Sequence, residues 1–173
     1  FADGLGAAFG LARDDAGSRY LVTDRDGGVL RAVSDGGQVS VVEEFVDGAE
    51  PFEVTRVGDV FVVSDETYLF WTLRGGAAEP AFEVQDMPFE VGAGRGLVAL
   101  SDRRFGVAGA GQIFEVDLDR ELDENLDAVG IGVPGDTMLG LTPDGPGYLA
   151  ASFTFGSTEG RLVRVYRLRG EGQ

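Results

Sequence analysis

Pro51-Phe52-Glu53-Val54-Thr55-Arg56-Val57-Gly58-Asp59-Val60-Phe61-Val62-Val63-Ser64-Asp65 holds two short apolar words on either side of a Gly-Asp break. The first word, Phe52-Glu53-Val54, recurs as Phe9-Gly10-Leu11, Phe89-Glu90-Val91 and Leu139-Gly140-Leu141, at steps of 43, 37 and 50 residues. The second, Val62-Val63-Ser64-Asp65, recurs as Leu21-Val22-Thr23-Asp24 and Ala99-Leu100-Ser101-Asp102, with Leu149-Ala150-Ala151-Ser152 as a degenerate copy. The Asp-ended copies lie 41 and 37 residues apart. Periods of about 40–50 residues with several short strands per unit point to propeller blades. The expected fold is all-β: a β-propeller-like array of about four blade units, each of four antiparallel strands.

The units span about 5–48, 49–86, 87–135 and 136–173. Strands are expected at Ala7–Ala12, Arg19–Thr23, Val29–Val33 and Val39–Phe45 in the first. The second has Phe52–Thr55, Val60–Ser64, Tyr68–Leu73 and Ala81–Val84. The third has Phe89–Gly92, Leu97–Ser101, Gln112–Asp117 and Ala128–Val133. The fourth has Met138–Thr142, Tyr148–Phe153 and Leu162–Leu168, and its last strand is missing. Asp26-Gly27-Gly28 and Asp35-Gly36-Gly37 supply hairpin turns. Asp119–Asp127 has the composition for one or two helical turns, or for a solvated surface excursion. Phe1-Ala2-Asp3-Gly4 matches Phe45-Val46-Asp47-Gly48, the end of an outer strand. An open ring would expose strand edges. The array is therefore expected to close on itself or to be part of a larger propeller.

Composition narrows the chemistry. The 173 residues carry 14 positive and 30 negative side chains, a net charge of −16, with no Cys and no His; every positive residue is Arg. Disulfides, Cys/His zinc sites, thiol nucleophiles, a Ser-His-Asp triad and Schiff-base lysines are all outside this chain's repertoire. Carboxylate acid/base work, Arg or Tyr electrophiles and oxygen-ligated cations remain. So acidic a surface repels phosphate backbones, which argues against nucleic acid and for cations or basic surfaces as partners. The longest apolar runs are four or five residues, far short of the roughly 20 of a membrane helix.

The blade words resemble those of propellers of the NHL, SMP-30/gluconolactonase and YVTN type. Pro51-Phe52-Glu53-Val54 followed by Val62-Val63-Ser64-Asp65 is similar to their inner-strand and second-strand words. Thr142-Pro143-Asp144-Gly145-Pro146-Gly147-Tyr148-Leu149-Ala150-Ala151-Ser152 resembles the YVTN second-strand word, and Gly160-Arg161-Leu162-Val163-Arg164-Val165-Tyr166 the strand that follows it. Glu53 and Glu90 stand where those families carry Gly. The resemblance implies a propeller fold and a location outside the cytoplasm, extracellular or periplasmic. It also implies one enzymatic possibility, a calcium-dependent hydrolase or lactonase whose calcium sites use Glu, Asp and Asn. The single Asn, Asn125, lies off the strand ends.

Candidate site residues fall into three groups. Glu53 and Glu90 occupy equivalent places on innermost strands. Carboxylates brought together there repel unless a cation or Arg intervenes. They are candidate Ca²⁺ ligands, or they sit in a wet channel paired with Arg56 and Arg95. Asp24, Asp65 and Asp102 end second strands, where a carboxylate accepts backbone N–H groups of the following turn. They are also candidate metal or substrate carboxylates. Asp24-Arg25-Asp26-Gly27 has part of a calcium-loop spacing but reads better as a turn. The run Asp117, Asp119, Glu121, Asp123, Glu124 and Asp127 is a solvated charge run or a weak divalent site. Trp71, in the aromatic stretch Tyr68–Trp71, and Phe153 and Phe155 are candidate partner contacts. The function expected from these residues is a non-catalytic propeller module that binds a protein partner or small ligand, with the calcium-dependent hydrolase as the alternative.

Overall fold

β-Branched and aromatic residues dominate the short segments between Gly- and Asp-rich turns, so each segment extends rather than coils. The computed structural model describes residues 3–45, 48–65, 70–74, 77–82, 96–108, 112–120, 127–131, 136–145, 147–154 and 160–166. Within them lie fifteen strands and no helix. They form four antiparallel sheets, each built of strands consecutive in sequence. The chain divides into two compact units, Phe1–Val84 and Gln85–Gln173.

Unit one holds two four-stranded sheets. Sheet 1 is β1 (Ala8–Asp14), β2 (Arg19–Asp24), β3 (Val29–Ser34) and β4 (Val39–Glu44). Sheet 2 is β5 (Pro51–Val57), β6 (Val60–Asp65), β7 (Phe70–Arg74) and β8 (Ala77–Phe82). Ala12, Leu21, Leu30 and Ala32 of sheet 1 pack with Val54 and Val63 of sheet 2 to form the core. The sheets meet at their first strands. A Cβ on Gly10 would lie 2.6 Å from the Val54 nitrogen and 2.7 Å from the Glu53 Cα. The backbone approach of β1 to β5 therefore requires glycine there.

The first repeated word marks a β-bulge. The β1–β2 register slips between Ala8 and Leu11, and the β5–β6 register between Pro51 and Glu53. A bulge leaves a backbone group off the ladder, and the Thr or Ser near the end of the second strand takes it up. Gly10 N–H donates to Thr23 Oγ1 at 2.7 Å, and Glu53 N–H to Ser64 Oγ at 3.2 Å. The Thr23 hydroxyl in turn donates to the Phe52 carbonyl at 2.7 Å, bonding sheet 1 to sheet 2.

Unit two holds β9 (Gly96–Ala99), β10 (Arg104–Ala108), β11 (Gln112–Asp117) and β12 (Asp127–Ile131) in sheet 3, and β13 (Asp136–Asp144), β14 (Gly147–Thr154) and β15 (Gly160–Tyr166) in sheet 4. Ala108 and Ile113 pack against Met138, Tyr148, Ala150 and Val165. The third bulge falls between Leu139 and Leu141, at Gly140 with φ +68°. A Cβ on Gly96 would lie 3.1 Å from Gly140 backbone atoms, so β9 and β13 also approach at a glycine.

Two strand assignments shift from the sequence expectation. Leu97–Ser101, expected as a second strand, is represented by β9, the first strand of its sheet, because β10 follows and pairs with it from Ala99↔Phe105 to Gly96↔Ala108. The sequence assigns no strand to Arg104–Ala108, which opens on an Arg and carries Gly106 inside. The expected strand at Phe89–Gly92 lies outside the described residues, as do residues 121–126 of the acidic excursion. In sheet 2 the outer strand is Ala77–Phe82 rather than Ala81–Val84. Its Pro80 is tolerated on the outermost strand of the sheet, where one side needs no donor.

Replacing Thr23 by Val strands the Gly10 N–H and the Phe52 carbonyl in a buried site. This is expected to destabilise the protein by about 2–3 kcal/mol, and Thr23→Ser by less than about 1 kcal/mol. Urea denaturation of the two variants checks it.

Candidate functional site

The second repeated word builds a buried carboxylate at the end of β2 and of β6. Asp24 and Asp65 are 2% and 0% exposed. Asp24 Oδ1 accepts the Ala7 N–H at 3.1 Å and the Gly27 N–H at 3.2 Å. Its Oδ2 accepts Arg31 Nε at 2.8 Å and Nη2 at 2.6 Å. Asp65 Oδ2 accepts the Glu50 N–H at 2.6 Å. Ala7 and Glu50 both lead into the first strand of their sheet. Each carboxylate thus ties the chain's entry into a sheet to that sheet's second strand, and Asp24 also closes the turn after it. The Asp24-Arg25-Asp26-Gly27 segment is that turn, with Gly28 N–H donating to the Arg25 carbonyl at 3.1 Å.

Asp102 does not share this geometry. It is exposed in the bend between β9 and β10, where Leu100 and Ser101 donate to the Arg104 carbonyl. The shift of strand order in sheet 3 removes it from the second-strand position. Among the described residues, no group of three or more acidic side chains converges as a metal site would require.

Glu53 is the unusual carboxylate. It follows the bulge of β5, half-buried, and its side chain has no hydrogen-bond or ion-pair partner among the described residues. Arg56 turns away from it, donating to the Gly58 carbonyl at 2.9 Å and approaching Asp15 at 3.8 Å. Desolvation pushes the Glu53 pKa up to about 7. Glu90, Arg95 and Phe155 lie outside the described residues, as do the side chains of Trp71 and Phe153. In the acidic run, Asp119 accepts Arg103 Nη2 at 2.6 Å, and Asp117 accepts the Asp119 N–H at 3.0 Å.

An open cleft of about 680 Å³ lies at the end of unit one that holds Asp24. Asp26, Gly28, Glu44 and Phe45 line it, together with Arg25, which pairs with Glu50 at 3.1 Å.

Sequence reasoning missed the polar centre of unit two. Glu115 of β11 is only 6% exposed. One carboxylate oxygen accepts the Tyr148 hydroxyl from sheet 4, and the other accepts Arg104 of β10. A carboxylate inside an otherwise apolar strand, Ile113-Phe114-Glu115-Val116, was the available signal. Buried charge needs such partners.

No protein-family model matches the sequence, and no curated protein matches it. Solved structures do resemble the chain. A nidogen/laminin complex component matches 95% of this chain and 68% of its own length, at 15% identity and TM-score 0.67. A catalytically inactive virginiamycin B lyase from Staphylococcus aureus, crystallised with quinupristin and altered at a histidine, matches 93% of this chain and 56% of its own, at 13% identity and TM-score 0.68. A gluconolactonase from Xanthomonas campestris matches 90% of this chain and 57% of its own, at 13% identity and TM-score 0.69. The chain spans a little over half to two thirds of these proteins. The likeness is one of fold: the chain is all-β, with the fold of part of a β-propeller.

Glu53 gives a pH signature. Its unfolded carboxyl ionises near the ordinary 4.5 and its folded one near 7, so the folded state binds more protons in between. Stability is then lost as pH rises from about 4.5 to 7. Glu53→Gln is expected to flatten that slope and to stabilise the protein by about 1–3 kcal/mol at pH 8, with little change at pH 4. Thermal unfolding across that range reads it. At the other centre, Tyr148→Phe removes the hydroxyl that donates to buried Glu115 and is expected to cost about 1–3 kcal/mol, read by urea denaturation.

Proposed function

We propose that the chain is a non-catalytic propeller module that binds a protein partner through basic groups on that partner. The observation that carries this reading is the use of Asp24 and Asp65. These recurrent carboxylates are buried and bonded to backbone N–H groups of their own sheets, so they serve the fold rather than a substrate. The chain has no His, Lys or Cys to act as general base or nucleophile. The lyase it resembles is inactive when one histidine is lost. A charge of −16 steers basic surfaces toward it. No helix among the described residues is long and apolar enough to cross a membrane. Placement outside the cytoplasm, extracellular or periplasmic, belongs to the same reading.

One observation favours the second reading, a calcium-dependent hydrolase or lactonase. Glu53, on a first strand, is a half-buried carboxylate with no partner among the described residues, and the fold resembles a gluconolactonase. In that reading Glu53 and Glu90 ligate Ca²⁺, with Asp24, Asp65 and Asp102 as further acidic candidates.

Calorimetric titration with Ca²⁺ separates the two. The binding-module reading expects no saturable Ca²⁺ uptake at micromolar concentration and no lactone hydrolysis. Micromolar uptake that disappears in Glu53→Gln, together with lactone turnover, would replace it with the hydrolase.

A further inference from the structure

β4 bonds to β3 along one side, and no other described strand pairs with it along the other. Two bonds fix which way its backbone points. Ser34 N–H donates to the Gln38 carbonyl at 2.9 Å, and Phe45 N–H to the Gly28 carbonyl at 3.0 Å. In an antiparallel ladder, bonded and non-bonded pairs alternate. Ala32↔Ser40 and Leu30↔Glu43 are therefore bonded pairs, and the backbone groups of Val39, Val41 and Glu44 turn outward. Among the described residues nothing bonds them there.

Such an edge is a template for another chain, and proteins blunt it with Pro, Lys or a break in the strand. β8 carries Pro80 and β12 carries Gly130. β4, Val39-Ser40-Val41-Val42-Glu43-Glu44, has no Pro, Gly or Lys. Its extra residue, Val42, packs inward against the core. Val41 is 46% exposed.

The bulge also aligns two exposed side chains. Because Val42 is the extra residue, Val41 and Glu44 stand opposite Arg31 and Val29, two ladder positions apart, and share one face. Glu44 lines the cleft of about 680 Å³, together with Phe45 and Asp26. Glu44 and Asp26 are exposed, and neither has an ion-pair partner among the described residues.

We propose that an extended segment of a protein partner adds to the outer edge of β4 as a fifth, antiparallel strand of sheet 1. The segment carries a Lys or Arg and, two positions later, an apolar residue. The basic side chain lies beside Glu44 and reaches toward Asp26, and the apolar one covers Val41. Outward backbone groups supply the hydrogen bonds, and the alternate side chains supply the choice of partner. The charge of −16 favours a basic segment over an acidic one. This inference rests on the binding-module reading and names the place and the chemistry of the contact.

Nuclear magnetic resonance of the nitrogen-15-labelled chain with the capped peptide acetyl-Thr-Thr-Arg-Thr-Val-Thr-Thr-amide, at millimolar concentration, tests this. The amide signals of Val39, Val41 and Glu44 are expected to shift, and their hydrogen exchange to slow at least about 3-fold. Methylating the backbone nitrogens of the peptide's Arg and Val keeps its charge and removes the two donors that face β4. That peptide is expected to bind about 10-fold more weakly. Val41→Pro removes an outward N–H from an edge strand, where Pro is tolerated, and is expected to weaken the unmethylated peptide about 5-fold. Glu44→Arg is expected to weaken it by a similar factor of about 5, and to bind better the peptide with Glu in place of Arg. Far-UV circular dichroism of both variants should match the parent chain. Equal binding of the methylated peptide overturns strand addition and leaves the binding-module reading standing. Absence of any response at Val39, Val41 and Glu44 overturns it too. The binding-module reading fails separately, by Ca²⁺ uptake with lactone turnover.

Discussion

A single hydroxyl, that of Thr23, joins two problems that a stack of bulged sheets must solve together. A bulge frees a backbone N–H from its ladder, and two sheets packed face to face have no ladder between them. Thr23 accepts a hydrogen bond from the freed Gly10 N–H and donates its own O–H to the Phe52 carbonyl of the next sheet. Only a short side chain with both donor and acceptor capacity does this. The adjacent Asp24 then fixes the chain's entry into β1 and the turn after β2. Ser/Thr followed by Asp is thus a structural pair in sheets 1 and 2.

Unit two meets the same demand with different chemistry. Its second strands, β10 and β14, end without the Asp of β2 and β6. The bond between sheets comes from the third strand instead, where Glu115 accepts the Tyr148 hydroxyl while Arg104 balances the charge. Both solutions put carboxylates inside a β-sheet core, and both surround them with donors. Glu53 is the exception, held by neither Arg nor N–H among the described residues, and desolvation raises its pKa.

Much of the fold was legible because bulge, turn and burial leave short-range marks. Phe-x-Val followed some ten residues later by Val-Val-Ser-Asp records a bulged strand, its hairpin and its locking pair. Where the marks are weak, reading failed. Arg103-Arg104-Phe105-Gly106 has no apolar alternation and was assigned no strand, yet Phe105 and Gly106 are buried in β10. Asp102 took its place among the Asp-ended words through its Leu100-Ser101-Asp102 match and its 37-residue spacing. The site was less legible than the fold. The expected role of Asp24 in closing the following turn was visible locally, but its bond to Ala7, seventeen residues upstream, was not. Glu115 and Tyr148 are 33 residues apart and belong to different sheets, so no periodicity announces their meeting.

The close approach of first strands has a consequence for how such a chain diversifies. Gly10 faces the backbone of Glu53 and Val54, and Gly96 that of Gly140. Each fit belongs to a particular pair of neighbours. Thr23 likewise reaches the Phe52 carbonyl, and Glu115 the Tyr148 hydroxyl. The blades repeat in pattern but are not interchangeable parts. Recombination that duplicated or transposed one of them would bring a side chain to a contact shaped for none. Change can therefore accumulate within a blade more readily than by reshuffling whole blades.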